Sequence, residues 1–228
     1  MFSYIYPMPI RLNRRKGLRR RRRTQWYNKK YSTAQIARAA WKATKYIRGL
    51  VNSEMYHKDA QYTLGNSQST IWHLTTLAQG DGPSNRTGNS ILLKRFTANG
   101  YMYVNPSATT NTRVMLALIQ DKQQVEDAYP SLSNIFASSV TPNTLLNSSN
   151  LGRFSILWRK QYTLGGNATG GANAKQIKIY KRFQTHVRYN GTAETDIHKN
   201  GLYLVMITSE PTNFPTINFE TRLSYHDN

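Results

Sequence analysis

Gln176-Ile-Lys-Ile-Tyr-Lys-Arg-Phe-Gln-Thr-His-Val-Arg-Tyr189 is the stretch that decides the fold class. Ile177, Ile179, Phe183, Val187 and Tyr189 alternate with Lys178, Arg182, Gln184, His186 and Arg188. Side chains of an extended chain point to opposite faces with period two, so this stretch reads as a strand with one apolar and one basic face. Ile217, Phe219, Leu223 and Tyr225 alternate with Asn218, Glu220, Arg222 and Ser224 in the same way. Arg113 to Gln120 and Leu202 to Ile207 are apolar on both faces and read as central strands. Eight strands are expected, at 55–64, 68–78, 90–104, 112–121, 153–163, 176–189, 201–209 and 216–226. So many strands, with no strong helix between most of them, predict an all-β sandwich or barrel.

The connections are long and polar. Residues 79–89 hold Gly80, Gly82, Pro83 and Gly88, and 105–111 hold Pro106 in a run of Ser, Thr and Asn. Residues 165–174 are rich in Gly and Asn, and 122–152 are expected to include a short helix near Val125 to Phe136, interrupted by Pro130. The loops 79–89, 105–111 and 165–174 are candidates for exposure or subunit contact. The composition agrees with a β fold, because the chain of 228 residues carries 15 Tyr, 7 Phe and 4 Trp, types that favour strands.

Charge divides the chain at Glu54. Before it stand 15 of the 31 Lys and Arg and none of the 11 Asp and Glu, so three quarters of the +20 net charge lies in the first quarter of the chain. A run this dense repels itself and calls for a polyanionic partner. Residues 1–31 read as a disordered basic arm carrying Arg11, Arg14, Arg15, Lys16, Arg19, Arg20, Arg21, Arg22, Arg23, Lys29 and Lys30. Trp26 and Tyr27 sit among these cations, where their rings either stack on unpaired bases or dock the arm onto the domain behind it. Arg19 to Arg23 also has the composition of a nuclear localisation signal, which would make a nuclear importer a partner.

Residues 32–50 read as a basic amphipathic helix. Ser32 and Gln35 have capping-box spacing, and Ile36, Ala40, Ala43, Ile47 and Leu50 form a narrow stripe at 100° per residue. Arg38, Lys42 and Lys45 fall opposite that stripe. A membrane-surface helix and an ordinary surface helix are the alternatives to one that faces nucleic acid. No acid balances the charged face, which favours nucleic acid. Residues 51–228 then form the β domain.

Several functions find no support in the residues. There is no cysteine, so disulfides and thiolate sites are excluded. No apolar run is long enough to span a bilayer, so no membrane insertion is expected. The apolar start Met1 to Ile10 precedes its positive charges, the reverse of a signal peptide. The sequons at Asn85, Asn147, Asn167 and Asn190 read as chance products of an Asn-, Ser- and Thr-rich chain. Leu164 to Ala174 lacks the ending of a phosphate loop. His57, His73, His186, His198 and His226 show no zinc spacing, and His73 and His186 read as structural residues within strands. Asp81, Asp121, Glu126 and Asp127 could offer oxygen to a cation at a subunit contact, but no calcium-loop pattern is present. No metal, cofactor or catalytic constellation is expected, and the chain does not read as an enzyme.

Particular words then point to a family. Leu77-Ala-Gln-Gly-Asp-Gly82, Arg86-Thr-Gly88 and Ser90-Ile-Leu-Leu-Lys-Arg-Phe96 resemble a pattern in coat proteins of Rep-encoding circular single-stranded DNA viruses. These are similar to the jelly-roll coat proteins of satellite tobacco necrosis virus type. Arg113 to Asp121 and Gly152 to Lys160 look like the core strands that follow. The resemblance covers about residues 33–226 and departs at Met1 to Ile10, which precede the arginines. It implies a single eight-stranded jelly roll of two packed antiparallel sheets, assembled as a 60-copy (T=1) icosahedral homo-oligomer. It also implies single-stranded DNA held by the arm, with RNA left open by chemistry alone, and a host receptor that no residue pattern names. A chromatin or ribosomal nucleic-acid-binding protein is the main rival reading, and a trimeric cytokine-like jelly roll is a second.

Overall fold

A computed structural model of the chain describes residues 32–50, 54–124, 129–166 and 173–227. The chain divides into two units, residues 1–51 and 52–228, and each is described by itself. In the first, helix α1 spans Thr33–Leu50. The expected disordered arm, residues 1–31, lies outside the described residues.

The second unit holds nine strands: β1 Met55–Leu64, β2 Ser69–His73, β3 Ser90–Tyr103, β4 Thr112–Asp121, β5 Phe154–Leu164, β6 Ala174–Tyr189, β7 Ile197–Lys199, β8 Gly201–Thr208 and β9 Thr216–Asp227. A five-stranded sheet runs β1-β9-β3-β6-β7 and a four-stranded sheet runs β2-β8-β4-β5. All the pairings are antiparallel. From β1 to β4 the chain alternates between the sheets, and neighbours within a sheet are mostly distant in sequence. With β7 set aside as a short edge addition, this is the eight-stranded jelly roll.

Burial follows the sequence period. Along β6 the inward residues Ile177, Ile179, Val187 and Tyr189 are buried, whereas Lys178, Arg182, His186 and Arg188 are exposed. Between the sheets these side chains meet Ile91, Leu93, Phe96, Met102, Ile217, Phe219 and Leu223 from the same sheet, and Val114, Leu116, Leu118, Leu202, Leu204 and Met206 from the facing one. Every residue of β8 is buried. Its second face, with Met115, Ala117 and Ile119 of β4, is covered by Ile135 and Phe136 of the long connection between β4 and β5. That connection explains why β4 and β8 are apolar on both sides.

Three local expectations differ from the structure. The strand expected over 68–78 keeps its ladder only through His73. Leu74 N still donates to Leu202 O at 3.0 Å, but the Thr75 hydroxyl then accepts from Leu202 N at 3.0 Å, so a side chain takes the next ladder position. The helix expected near Val125 to Phe136 is one turn, α2, at Leu132–Ile135; residues 125–128 lie outside the described residues. Ser131 caps it by accepting from Asn134 N at 3.3 Å, while Asn134 Oδ1 accepts from Ser131 N at 2.9 Å. Strand β7 has no counterpart among the expected strands, since three residues are too few to show a period.

The loop before β3 is organised by Arg86, which is fully buried. Its Nε donates to Leu77 O at 3.0 Å, and Nη1 donates to Gly88 O at 2.8 Å and Asn89 Oδ1 at 3.2 Å. Its Nη2 donates to Gly191 O and to Ala193 O. The guanidinium also lies over the Tyr189 ring, 4.0 Å from its centroid. Guanidinium has five N–H donors, and each finds an oxygen here. Replacing Arg86 with Met would take its donors from the buried Leu77 carbonyl and from the part-buried oxygens of Gly88, Asn89, Gly191 and Ala193. We expect Arg86→Met to lose at least about 3 kcal/mol in urea denaturation, with Arg86→Lys recovering only part of it.

Candidate nucleic-acid interface

The residues expected to meet nucleic acid fall into two groups. Arg11, Arg14, Arg15, Lys16, Arg19, Arg20, Arg21, Arg22, Arg23, Trp26, Tyr27, Lys29 and Lys30 lie outside the described residues. Arg38, Lys42 and Lys45 stand on α1 and are exposed.

The start of α1 follows from its first residues. Ser32 Oγ accepts from Gln35 N at 3.3 Å, and Gln35 Oε1 accepts from Ser32 N at 3.1 Å, so the capping box closes reciprocally. No acid occupies the first turn. Further along, Thr44 Oγ1 donates to Ala40 O at 2.8 Å. Lys45 Nζ lies 5.4 Å from the centroid of the Trp41 ring, one turn earlier. This pairing of a cation with an exposed indole places an aromatic beside the basic face. Charge pattern alone does not single out Trp41, although its i, i+4 spacing from Lys45 carries the signal. Ile36 and Ile47, on the opposite stripe, are exposed as well.

In the β domain, His73 and His186 lie in β2 and β6. The His73 ring packs 3.8 Å from Tyr129 and 5.5 Å from Tyr203, and its burial holds its pKa below the usual histidine value. His186 Nδ1 is 3.3 Å from Ser90 Oγ on the exposed face. Asp121 cannot serve a cation freely, because Arg153 grips both its oxygens: Nε to Oδ1 at 2.9 Å and Nη2 to Oδ2 at 2.6 Å. Glu126 and Asp127 lie outside the described residues. Among the described residues no three His, Asp or Glu side chains converge on a metal position. No helix among them is long and apolar enough to cross a membrane.

The family model of the geminivirus coat protein/nuclear export factor BR1 family matches residues 6–228. The chain belongs to that family. The resemblance carried by the words around Gln79, Arg86 and β3 is therefore shown, and the family match extends it over nearly the whole coat protein. No curated protein matches the chain.

Among solved structures, the coat protein is similar to Turnip Yellow Mosaic Virus empty head, with 11% identity and a TM-score of 0.35 over 77% of this chain and 83% of that one. It is similar to Cocksfoot mottle virus, with 11% identity and a TM-score of 0.34 over 76% and 92%. Dimeric latent PorU from Porphyromonas gingivalis gives 9% identity and a TM-score of 0.36 over 76% of this chain, which spans 13% of that protein's length. At scores this low the likenesses carry no argument. The jelly roll rests on the strand order, and the capsid assignment on the family.

The cations of α1 are open to a titration test. In the full chain, changing Arg38, Lys42 and Lys45 together to Gln keeps helix propensity nearly constant. Binding to a thymidine oligonucleotide should then show a salt dependence shallower by about 2 in the slope of log K against log salt. An unchanged slope would remove these residues from the interface.

Proposed function

We propose that this coat protein self-assembles into a closed icosahedral shell of 60 copies and packages a single-stranded DNA genome through residues 1–31, with the basic face of α1 extending that contact. The observation that carries the reading is the charge boundary at Glu54: 15 cations and no acid before it, and a net of +5 after it. Sixty copies bring about 900 positive charges from the first segment and about 1200 in all, which would neutralise roughly 0.9–1.2 kilobases of single strand at one phosphate per nucleotide. Binding of this kind releases counterions, so it is salt-sensitive and largely indifferent to sequence. A structural coat needs no catalytic group, and no enzymatic role is proposed.

Deletion of residues 1–31 tests the packaging role. The β domain should retain its circular dichroism and thermal transition, while particles purified from expressing cells lose their nucleic acid by absorbance ratio and nuclease protection. Genome-filled particles from the deletion chain would defeat the reading. The particle mass of the full chain, measured by native mass spectrometry, checks the copy number of 60.

The same arginines suit an importer before assembly, which would place the protein in the host nucleus as well as in the virion. Residues 1–31 fused to a cytosolic fluorescent reporter should move it to the nucleus. Changing Arg19 to Arg23 to Ala should return it to the cytosol, and a fusion that never leaves the cytosol would count against this role.

A further inference from the structure

The sequence marks a basic strand face at 176–189, and the fold sets a second acid-free strand beside it. Strands β3 and β6 together contain seven Lys and Arg and no Asp or Glu. Their outward residues pair in order: Tyr101 with Gln176, Asn99 with Lys178, Thr97 with Tyr180, Arg95 with Arg182, Leu92 with His186 and Ser90 with Arg188. Lys178, Tyr180, Arg182, Arg188, Arg95, Tyr101 and Tyr103 are all exposed. At about 3.3 Å per residue this track is roughly 40 Å long.

Arg95 stands directly opposite Arg182 across the ladder, next to a bulge between Leu93 and Arg95. Like charges so placed destabilise a sheet. The ion pairs among the described residues are Arg153–Asp121 and Arg222–Asp59, so neither Arg95 nor Arg182 is neutralised by a carboxylate there. Instead Arg182 Nε donates to Tyr180 Oη at 2.9 Å. The two arginines hold the Tyr180 hydroxyl below the usual tyrosine pKa, with Arg182 the larger influence. On the other side of β3 the same face carries acid: Asp59, held in a two-point pair by Arg222, and Glu220. These residues line an open depression of about 650 Å³ together with Arg95, Thr97 and Asn99. The face is thus divided lengthwise into a cationic track on β3 and β6 and a mixed border on β1 and β9.

The tyrosines complete the chemistry. Tyr101 and Tyr103 follow one another on the outer face of β3 with ring centroids 6.4 Å apart, and Tyr180 stands on β6 between Lys178 and Arg182. An array of exposed rings among cations on a flat sheet is the arrangement that stacks unpaired bases while gripping phosphates.

We propose that the outer face of β3 and β6 is a second single-stranded DNA site, in which Arg95, Arg182 and Lys178 hold phosphates and Tyr101, Tyr103 and Tyr180 stack bases. The site rests on the packaging reading above but is separate from residues 1–31. Opposed arginines are kept at some cost to the sheet because a phosphate between them relieves the repulsion. The mixed border, where Glu220 stands near the neutral Asp59–Arg222 pair, offers phosphates no net attraction and leaves the backbone on the track.

Photocrosslinking tests this in the full chain, using a 12-mer of thymidine with 5-iododeoxyuridine substitutions. Peptides containing Tyr101, Tyr103 or Tyr180 should carry the crosslink, and crosslinking there should fall at least fivefold when the oligonucleotide is annealed to its complement. Crosslinks confined to residues 1–50, or equal yields from duplex, would overturn the site while leaving the packaging reading intact. Failure of the full chain to retain any oligonucleotide would instead sink the packaging reading itself. The double change Arg95→Gln and Arg182→Gln gives an independent readout. It should reduce the salt slope of oligonucleotide binding by about 1.4 while leaving the melting temperature equal or higher. A lower melting temperature with an unchanged slope would show the arginines to be structural.

Discussion

The buried guanidinium of Arg86 is the constraint on which the jelly roll's ordering of loops depends. It ties Leu77, Gly88 and Asn89 of the segment entering β3 to Gly191 and Ala193 of the segment leaving β6. Charge in an interior is costly unless every donor is answered, and a hydrogen bond to a charged group contributes about 1.5–3 kcal/mol. Among the described residues no carboxylate pairs with Arg86 directly, although Asp196 and Asp227 act on it at longer range. Main-chain oxygens answer most of its donors, so the geometry of two loops is coupled to one side chain. Thr87 N then donates to Asp227 Oδ2 at 2.6 Å, and Tyr225 Oη donates to Asn85 O at 2.8 Å, which bind the end of β9 to the same loop.

The two sheets are unlike, and that difference organises the functional reading. The four-stranded sheet is covered on its second face by Ile135 and Phe136, so β8 has no exposed residue. Within the β domain, the described residues cover the five-stranded sheet on one face only. Its outward residues can therefore be charged, and on β3 and β6 they are basic without acid. Close contact between β9 and β3 holds that sheet together: a Cβ at Gly100 would lie 2.5 Å from Phe219 Cα. Glycine there lets neighbouring backbones approach within a long strand.

Much of the fold is legible in the chain itself. The period-two patterns of 176–189 and 216–226 match β6 and β9, because burial of one face imposes alternation locally. The two-sided apolar runs at 113–120 and 202–207 match β4 and β8, and Ser32 with Gln35 marks the start of α1. Less is legible where a distant residue decides. Leu202 pairs its amide with the Thr75 hydroxyl and so ends β2 early, and β7 exists through pairing with Arg188 and Tyr189. Of the candidate interface, the cations of α1 are plain in the sequence. Trp41 is not, because charge alone leaves out the ring beside Lys45.

The sequence by itself determined the all-β class, the positions of most strands, the capped basic helix and the charge boundary at Glu54. These are properties of neighbours in the chain, and alternation, capping and charge density act over a few residues. Only the tertiary structure decided that Arg86 is an interior staple and not another surface cation. It also decided that Arg95 of β3 faces Arg182 of β6, although 87 positions separate them. Each arginine looks ordinary within its own strand. The register of antiparallel pairing brings them together, and no local pattern in the chain encodes that register.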